Sequence, residues 1–75
     1  MPNRRDPLLR AIGARVRHLR EARHWTQETL AERSAVDRSY IAGIEAGLRN
    51  PSVKAMAKIA RGFEVTLAGL FETVN

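Results

Sequence analysis

The sequence predicts an all-α fold, a bundle of five short helices in one small domain. Apolar residues recur at steps of three and four, the spacing of a helix face, and no segment alternates as a half-buried strand does. A second observation is an arrangement that occurs four times: an apolar residue, a capping residue, and another apolar residue four positions further on. The length of 75 residues is sufficient for one small hydrophobic core.

The first helix is predicted to begin after Asp6, a good capping residue that is followed by Pro7 at the first helical position. It should run to about Arg23. Its apolar stripe consists of Leu9, Ile12, Val16 and Leu19. Gly13 lies within this helix and is expected to weaken it by about 1 kcal/mol relative to alanine.

Each of the four later helices is predicted to begin at the repeated arrangement. The capping residues are Thr26, Asp37, Ser52 and Thr66. The apolar pairs that bracket them are Trp25 and Leu30, Val36 and Ile41, Pro51 and Met56, and Val65 and Leu70. On the fourth helix, the residues expected to face the core are Val53, Met56, Ala57, Ala60 and Phe63.

The third helix is predicted to end at Gly47, where a left-handed residue is favoured. Pro51 disfavours helical geometry at the preceding Asn50, so the chain between Gly47 and the fourth helix should be a loop.

The charge of the chain favours a polyanionic partner. Thirteen lysines and arginines stand against eight acidic residues, which gives a net charge of +5 and a pI near 11.1. Nucleic acid is the commonest polyanion that basic domains bind, although a solvated surface has the same composition. Residues 1–5 are expected to form a flexible basic tail before a folded domain over residues 6–75.

Several classes of function find no support in the sequence. There is no cysteine for a disulfide or a thiolate zinc site, and His18 and His24 do not share a helix face. No apolar run approaches the roughly 18 residues of a membrane span, and no secretory signal is present. No catalytic motif occurs. We therefore expect a protein without cofactor, metal or membrane partner that is not an enzyme, and a cytoplasmic location.

Residues 26–45 read as two short helices joined by a tight turn, and the second helix has its polar residues at its start. A helix of this kind suits insertion, N-terminus first, into the DNA major groove. The informative segments are WTQETLA (25–31), DRSYI (37–41), IEAG (44–47), RNPS (49–52) and LAGLF (67–71).

Through these segments, the chain resembles the phage-repressor/Cro-type (XRE-like) helix-turn-helix family over about residues 8–72. The resemblance implies a five-helix, lambda-repressor-like bundle that binds operator DNA, usually as a two-fold dimer, and regulates transcription. The chain departs from the family at Ala35 and Glu64, where glycine is usual. A left-handed backbone at either residue should cost about 1 kcal/mol.

Arg38 and Ser39 are the predicted base-contacting residues, because the first turn of the reading helix reaches base edges. An arginine can bond two acceptors of one guanine; the alternatives are a phosphate contact or plain surface. By resemblance Gly43 faces the groove as well. Glycine has no side chain that could read a base. Gly43 therefore implies either a close approach of the helix or fewer direct contacts, with more of the specificity from DNA shape.

Other residues are expected to contact the DNA backbone or to orient the reading helix. By resemblance Gln27 bonds a phosphate, and Arg20 pairs with Glu45 in a partly buried ion pair. The alternative for that pair is two unrelated surface charges. Further backbone-contact candidates are Tyr40, Arg49, Asn50 and Lys54. The alternative for each of these four residues is ordinary polar surface. For Tyr40 a second alternative is that it belongs partly to the core.

An apolar C-terminal surface is expected to form a homodimer interface, the commonest oligomeric arrangement. Its residues are Leu67, Leu70, Phe71 and Val74. The alternative is a monomer in which this helix only fills the core. A dimer predicts a palindromic operator, and RNA polymerase is a further candidate partner.

The resemblance is strongest to the controller proteins of restriction–modification operons, which have similar DRSY and RNPS segments. Two other functions stay open: an antitoxin of a toxin–antitoxin pair, and a protein-interaction adaptor with the same fold. We expect no extension beyond residue 75, which favours the controller over the antitoxin. The presence of Gln27, Arg38 and Asn50 argues against the adaptor.

Overall fold

A computed structural model describes residues 6–72 of the chain. The predicted basic tail and Val74 lie outside this part. The described residues form five helices: α1 (Pro7–Ala22), α2 (Gln27–Ser34), α3 (Arg38–Glu45), α4 (Val53–Phe63) and α5 (Leu67–Leu70). No strand occurs among them. The all-α, five-helix prediction is thus confirmed.

The helices begin where the capping residues predicted. Four side-chain oxygens accept a hydrogen bond from a backbone N–H in the first turn: those of Asp6, Thr26, Ser52 and Thr66. Asp37 also occupies the capping position of α3, but its side chain makes no such bond. The expectation that its side chain caps α3 was therefore wrong. Asp37 is exposed, so its carboxylate is accessible to water at the start of α3.

One core joins all five helices. Helix α1 packs on α3, α2 packs on both α3 and α4, and α5 packs on α4. The fully buried side chains are Val16, Leu30, Ile41, Ile44, Ile59 and Leu70. Trp25, Tyr40 and Phe71 are partly buried against this cluster.

The predicted core face of α4 was partly wrong. Val53 is 74% exposed and Ala57 is exposed, whereas Ala55 and Ile59 are buried. Small and apolar residues lie on both sides of this helix, so its spacing is compatible with two rotations. Packing against α2 selects the rotation that buries Ile59.

The backbone turns left-handed at four described residues: Gly47, as predicted, and three residues that are not glycine. Those three are His24, Ala35 and Glu64, with φ near +60°. Ala35 and Glu64 end α2 and α4 at the two positions where the family usually has glycine. Each left-handed residue costs roughly 1 kcal/mol, which the packing of the helices must offset.

Gly13 has a role that the sequence did not reveal. A Cβ atom at this residue would lie 2.2 Å from the carbonyl oxygen of Ile44 and 2.8 Å from that of Glu45. The absent side chain therefore lets α1 approach the backbone of α3 closely. This contact fixes the position of α3 against α1.

Candidate nucleic-acid interface

The first turn of α3 carries polar side chains that are open to solvent. Arg38 and Ser39 are exposed, whereas Ile41 and Ile44 on the same helix are buried. The buried side of α3 therefore holds the helix in the bundle, while its N-terminal turn is accessible to a partner. This is the geometry in which the leading end of a recognition helix enters the major groove.

An ion pair anchors the other end of α3. Arg20 Nε donates to Glu45 Oε2 at 2.7 Å and Arg20 Nη2 to Glu45 Oε1 at 3.0 Å, a two-point contact between planar groups. Arg20 Nη1 also donates to the carbonyl of Trp25 at 2.7 Å. The side chains are only 12% and 5% exposed. The expected pair therefore exists, and it connects α1, the start of α2 and the end of α3.

Gln27 joins this network. Its amide nitrogen donates to Glu45 Oε1 at 3.1 Å, and the residue is partly buried at the start of α2. The amide therefore has a fixed orientation beside the ion pair. Its carbonyl oxygen and second N–H bond remain candidates for a phosphate contact, so the predicted role of Gln27 stays a prediction.

An open cleft of about 380 Å³ separates the beginnings of α2 and α3. Its lining residues are Arg20, Thr26, Gln27, Glu28 and Arg38. The guanidinium of Arg38 lies in this cleft near the start of α2, where backbone N–H groups favour anions, and the carboxylate of Glu28 lines the cleft as well. A DNA phosphate contact in this cleft stays a prediction.

Arg49 lies across the exposed side of α3. Its guanidinium stacks 5.2 Å from the centre of the Tyr40 ring, a cation–π contact. A Cβ on Gly43 would lie 2.6 Å from Cγ of Arg49, so the glycine leaves room for this side chain. The close approach at Gly43 is therefore made by an arginine of the following loop and not by a neighbouring helix.

Tyr40 has two further structural roles. Its ring is partly buried against the core, and its hydroxyl accepts a hydrogen bond from the backbone N–H of Ser52 at 3.3 Å. This residue therefore supports both Arg49 and the start of α4. Asn50 and Lys54 are exposed nearby, on the loop and the first turn of α4. Four of the predicted backbone-contacting residues thus lie on α3, on the loop that follows it and on the first turn of α4: Tyr40, Arg49, Asn50 and Lys54. The fifth, Gln27, lies in the ion-pair network at the end of α3.

The predicted dimer surface is smaller than expected. Leu70 is fully buried in the core, so it does not belong to an exposed interface. The helix periodicity of α5 turns this residue towards α4, whereas Leu67 is 37% exposed and Phe71 is partly buried. Two of the four residues therefore remain candidates, and Val74 lies outside the described part of the chain.

Two arginines with structural roles escaped the sequence analysis. Arg15 donates to the carbonyl oxygens of Leu70 and Gly69, and Arg23 donates to those of Leu19 and Phe63. Bonds from arginine to backbone carbonyls leave no pattern in a sequence, because any residue type offers a carbonyl.

A group of aromatic and cationic side chains joins α1, α2 and α4. The rings of Trp25 and Phe63 stack at 5.6 Å with an angle of 9° between them. The guanidinium of Arg33 lies 4.5 Å from the Trp25 ring, and that of Arg23 lies 4.9 Å from Phe63. Trp25 therefore does more than staple the start of α2, which was its predicted role.

Other kinds of site find no basis in residues 6–72. No group of three or more potential metal-ligating side chains occurs there. No helix in this part is both long and apolar enough to cross a lipid bilayer.

The five-helix fold, with the exposed first turn of α3, defines a helix-turn-helix domain. The helix-turn-helix family model matches residues 16–70, and the chain belongs to that family. Control protein C.MunI from Mycoplasma sp is 36% identical over 65 residues, which are 85% of this chain and 88% of that protein. An uncharacterised HTH-type transcriptional regulator of Mycobacterium tuberculosis is 38% identical over 59 residues. The chain spans only 42% of the length of that regulator.

Solved structures give the same result. The restriction-modification controller protein C.AhdI from Aeromonas hydrophila has a TM-score of 0.81 and 43% identity over 84% of this chain and 96% of that chain. The controller protein C.Esp1396I, as a tetramer in complex with its natural 35 base-pair operator, has a TM-score of 0.82 and 37% identity. That match covers 89% of this chain and 88% of the controller chain.

Proposed function

We propose that this protein is a transcriptional regulator that binds double-stranded DNA in a sequence-specific manner, as a homodimer on a palindromic operator. The observation that carries the proposal is the asymmetry of α3. Its first turn presents Arg38 and Ser39 to solvent, while Ile41, Ile44 and the anchored Glu45 hold the remainder in the bundle. In this proposal Arg38 reads a guanine edge in the major groove.

The surrounding residues would fix the protein on the DNA backbone. Gln27 and the N-terminus of α2 bind one phosphate, and Arg49, Asn50 and Lys54 bind others on the side of the loop. The net charge of +5 adds long-range attraction. Such contacts position the reading helix, whereas the contacts of Arg38 and Ser39 distinguish one sequence from another.

The finer proposal is a controller protein of a restriction–modification operon. It rests on the likeness to C.MunI, C.AhdI and C.Esp1396I, whose chains this chain nearly spans. A neighbouring methyltransferase gene would support it, and a neighbouring toxin gene would favour the antitoxin alternative. As a regulator of a promoter, the protein would act in the cytoplasm beside RNA polymerase, which is its further candidate partner.

The proposal is tested by binding-site selection from random DNA duplexes with the unmodified protein and with Arg38→Ala. We expect a palindromic consensus for the unmodified protein. The variant should lose preference at one base pair of each half-site, worth about 1–3 kcal/mol, and retain non-specific binding. Arg61→Ala is the matched control, because it also removes one exposed arginine. Arg61 lies in the last turn of α4, whereas the proposed phosphate contact Lys54 lies in the first turn.

Two results would count against the proposal. Uniform weakening of all sequences by Arg38→Ala would make this arginine a phosphate contact and remove it from base recognition. Recovery of no consensus by the unmodified protein would remove sequence-specific DNA binding altogether.

A further inference from the structure

Helix α5 is too short to be stable on its own. It contains four residues, Leu67–Leu70, which make about one turn, and isolated helices of that length do not persist in water. Its position is therefore set by contacts from outside the helix. Two of these are evident: the Thr66 side chain caps its first turn, and the Leu70 side chain is fully buried in the core.

Arg15 provides a third contact, from the other end of the sequence. Its Nε donates to the carbonyl oxygen of Leu70 at 2.9 Å, and its Nη2 donates to that of Gly69 at 3.1 Å. The carbonyl groups at a helix C-terminus lack partners within the helix, so a guanidinium that spans two of them satisfies part of that need. Bonds from a charged donor are stronger than those between neutral groups.

We propose that Arg15 is a positioning residue for the dimer surface on α5. This inference rests on the proposed homodimer and assigns to it a residue on α1. By holding the end of α5 against α1, Arg15 fixes the orientation of the partly exposed Leu67 and Phe71 that a second copy of the chain would meet. Its loss loosens the dimer, and through the dimer it lowers affinity for a two-half-site operator.

The matched pair of variants is Arg15→Gln and Arg17→Gln. Both remove one positive charge from α1, but within residues 6–72 the ion pair of Arg17 is the exposed one with Glu21. Any loss of general attraction to DNA should therefore be the same in both variants. We expect Arg15→Gln to raise the dimer dissociation constant in sedimentation equilibrium at least about tenfold, which corresponds to 1.4 kcal/mol. The Arg17→Gln variant should stay within about twofold of the unmodified protein.

DNA binding gives a second readout. On the palindromic duplex selected by the unmodified protein, Arg15→Gln should bind more weakly than Arg17→Gln. On a duplex that carries a single half-site, the two variants should bind equally, because Arg15 does not belong to the surface around α3. Equal behaviour of both variants on the palindrome would overturn the inference and leave the proposed function intact.

Amide hydrogen exchange distinguishes positioning from general unfolding. In Arg15→Gln, faster exchange should be confined to residues 69–72, while the amides of α4 keep their protection. Arg15→Lys, which can still donate to one carbonyl, should recover part of the dimer affinity. Protection lost equally in α4 and α5 would mean that Arg15 stabilises the whole fold, and it would overturn the inference. A monomeric unmodified protein that still binds the palindrome would refute the dimer itself.

Discussion

Arg20 shows how much one side chain contributes to the position of the reading helix. It makes three hydrogen bonds, two to Glu45 and one to the Trp25 carbonyl, and lies mostly out of solvent. Glu45 lies at the end of α3, so any movement of that helix would disrupt this pair. A buried carboxylate that loses its cation is costly, more so than the pair itself is stabilising.

Replacing Arg20 with alanine should therefore lower the free energy of unfolding by roughly 3–5 kcal/mol, measured by urea denaturation. Arg17→Ala is the control, because the Arg17–Glu21 pair is more than half exposed and should contribute less than about 1 kcal/mol. Equal stability losses in the two variants would mean that the Arg20–Glu45 pair does not hold α3.

The pH dependence of this pair follows from the direction of one pKa shift. The hydrogen bond to Glu45 raises the pKa of Arg20 above its usual value, and burial opposes this effect. A raised pKa in the folded state gives stability that is fully present below the usual arginine pKa. That stability is lost only as the pH rises through the folded value. From the side of Arg20, the pair is therefore intact throughout the neutral range.

For single residues, the sequence predicted contacts where the family has a known pattern. The resemblance predicted the Arg20–Glu45 pair, and the chemistry of arginine at the start of a helix predicted an exposed Arg38. The sequence was uninformative for Arg15 and Arg23, each of which bonds a backbone carbonyl at least 40 residues away. The sequence also did not predict which residue contacts Gly43, because the path of the Arg49 side chain depends on the folded loop.

Two glycines on the helices make room for close neighbours, Gly13 on α1 and Gly43 on α3. Gly13 permits contact between α1 and the backbone of α3, where a Cβ would meet a carbonyl oxygen at 2.2 Å. Gly43 makes room for the Arg49 side chain, which is exposed and has freedom to move. The same substitution should therefore have different consequences at the two residues.

We expect Gly13→Ala to destabilise the fold by about 1–3 kcal/mol or more, because backbone must move to accommodate the methyl group. Gly43→Ala should change stability by less than about 1 kcal/mol, since helix propensity improves and only a side chain is displaced. It should nevertheless weaken DNA binding, because Arg49 loses its place on Tyr40. Urea denaturation and DNA titration of both variants check this. A stable Gly13→Ala variant would contradict the close α1–α3 contact.

The starts of the elements were predictable because caps act locally. A hydroxyl followed by an apolar residue four positions later marks a helix start without reference to the remainder of the fold. The orientation of α4 was not predictable, because both of its possible core faces carry apolar residues. Only the contact with α2 decides between them. The burial of Leu70 likewise depends on how α5 docks.

The described part of the chain measures 34 × 24 × 23 Å, so its longest dimension is close to one helical turn of DNA, about 34–36 Å. Two copies related by a two-fold axis would place their α3 helices in successive major grooves, about 34–36 Å apart. Quaternary structure was the least predictable level. The same apolar residues serve either a core or an interface, and Leu70 belongs to the core.

We propose that the first turn of α3 enters the major groove and that Arg38 reads a guanine there. Methylation of guanine N7 probes this contact, because N7 lies on the major-groove edge that an arginine contacts. In an interference experiment on the selected duplex, methylation of one guanine in each half-site should abolish binding of the unmodified protein. In Arg38→Ala, binding should be insensitive to methylation of that guanine. Binding of the unmodified protein that tolerates methylation at every guanine of the duplex would contradict the claim.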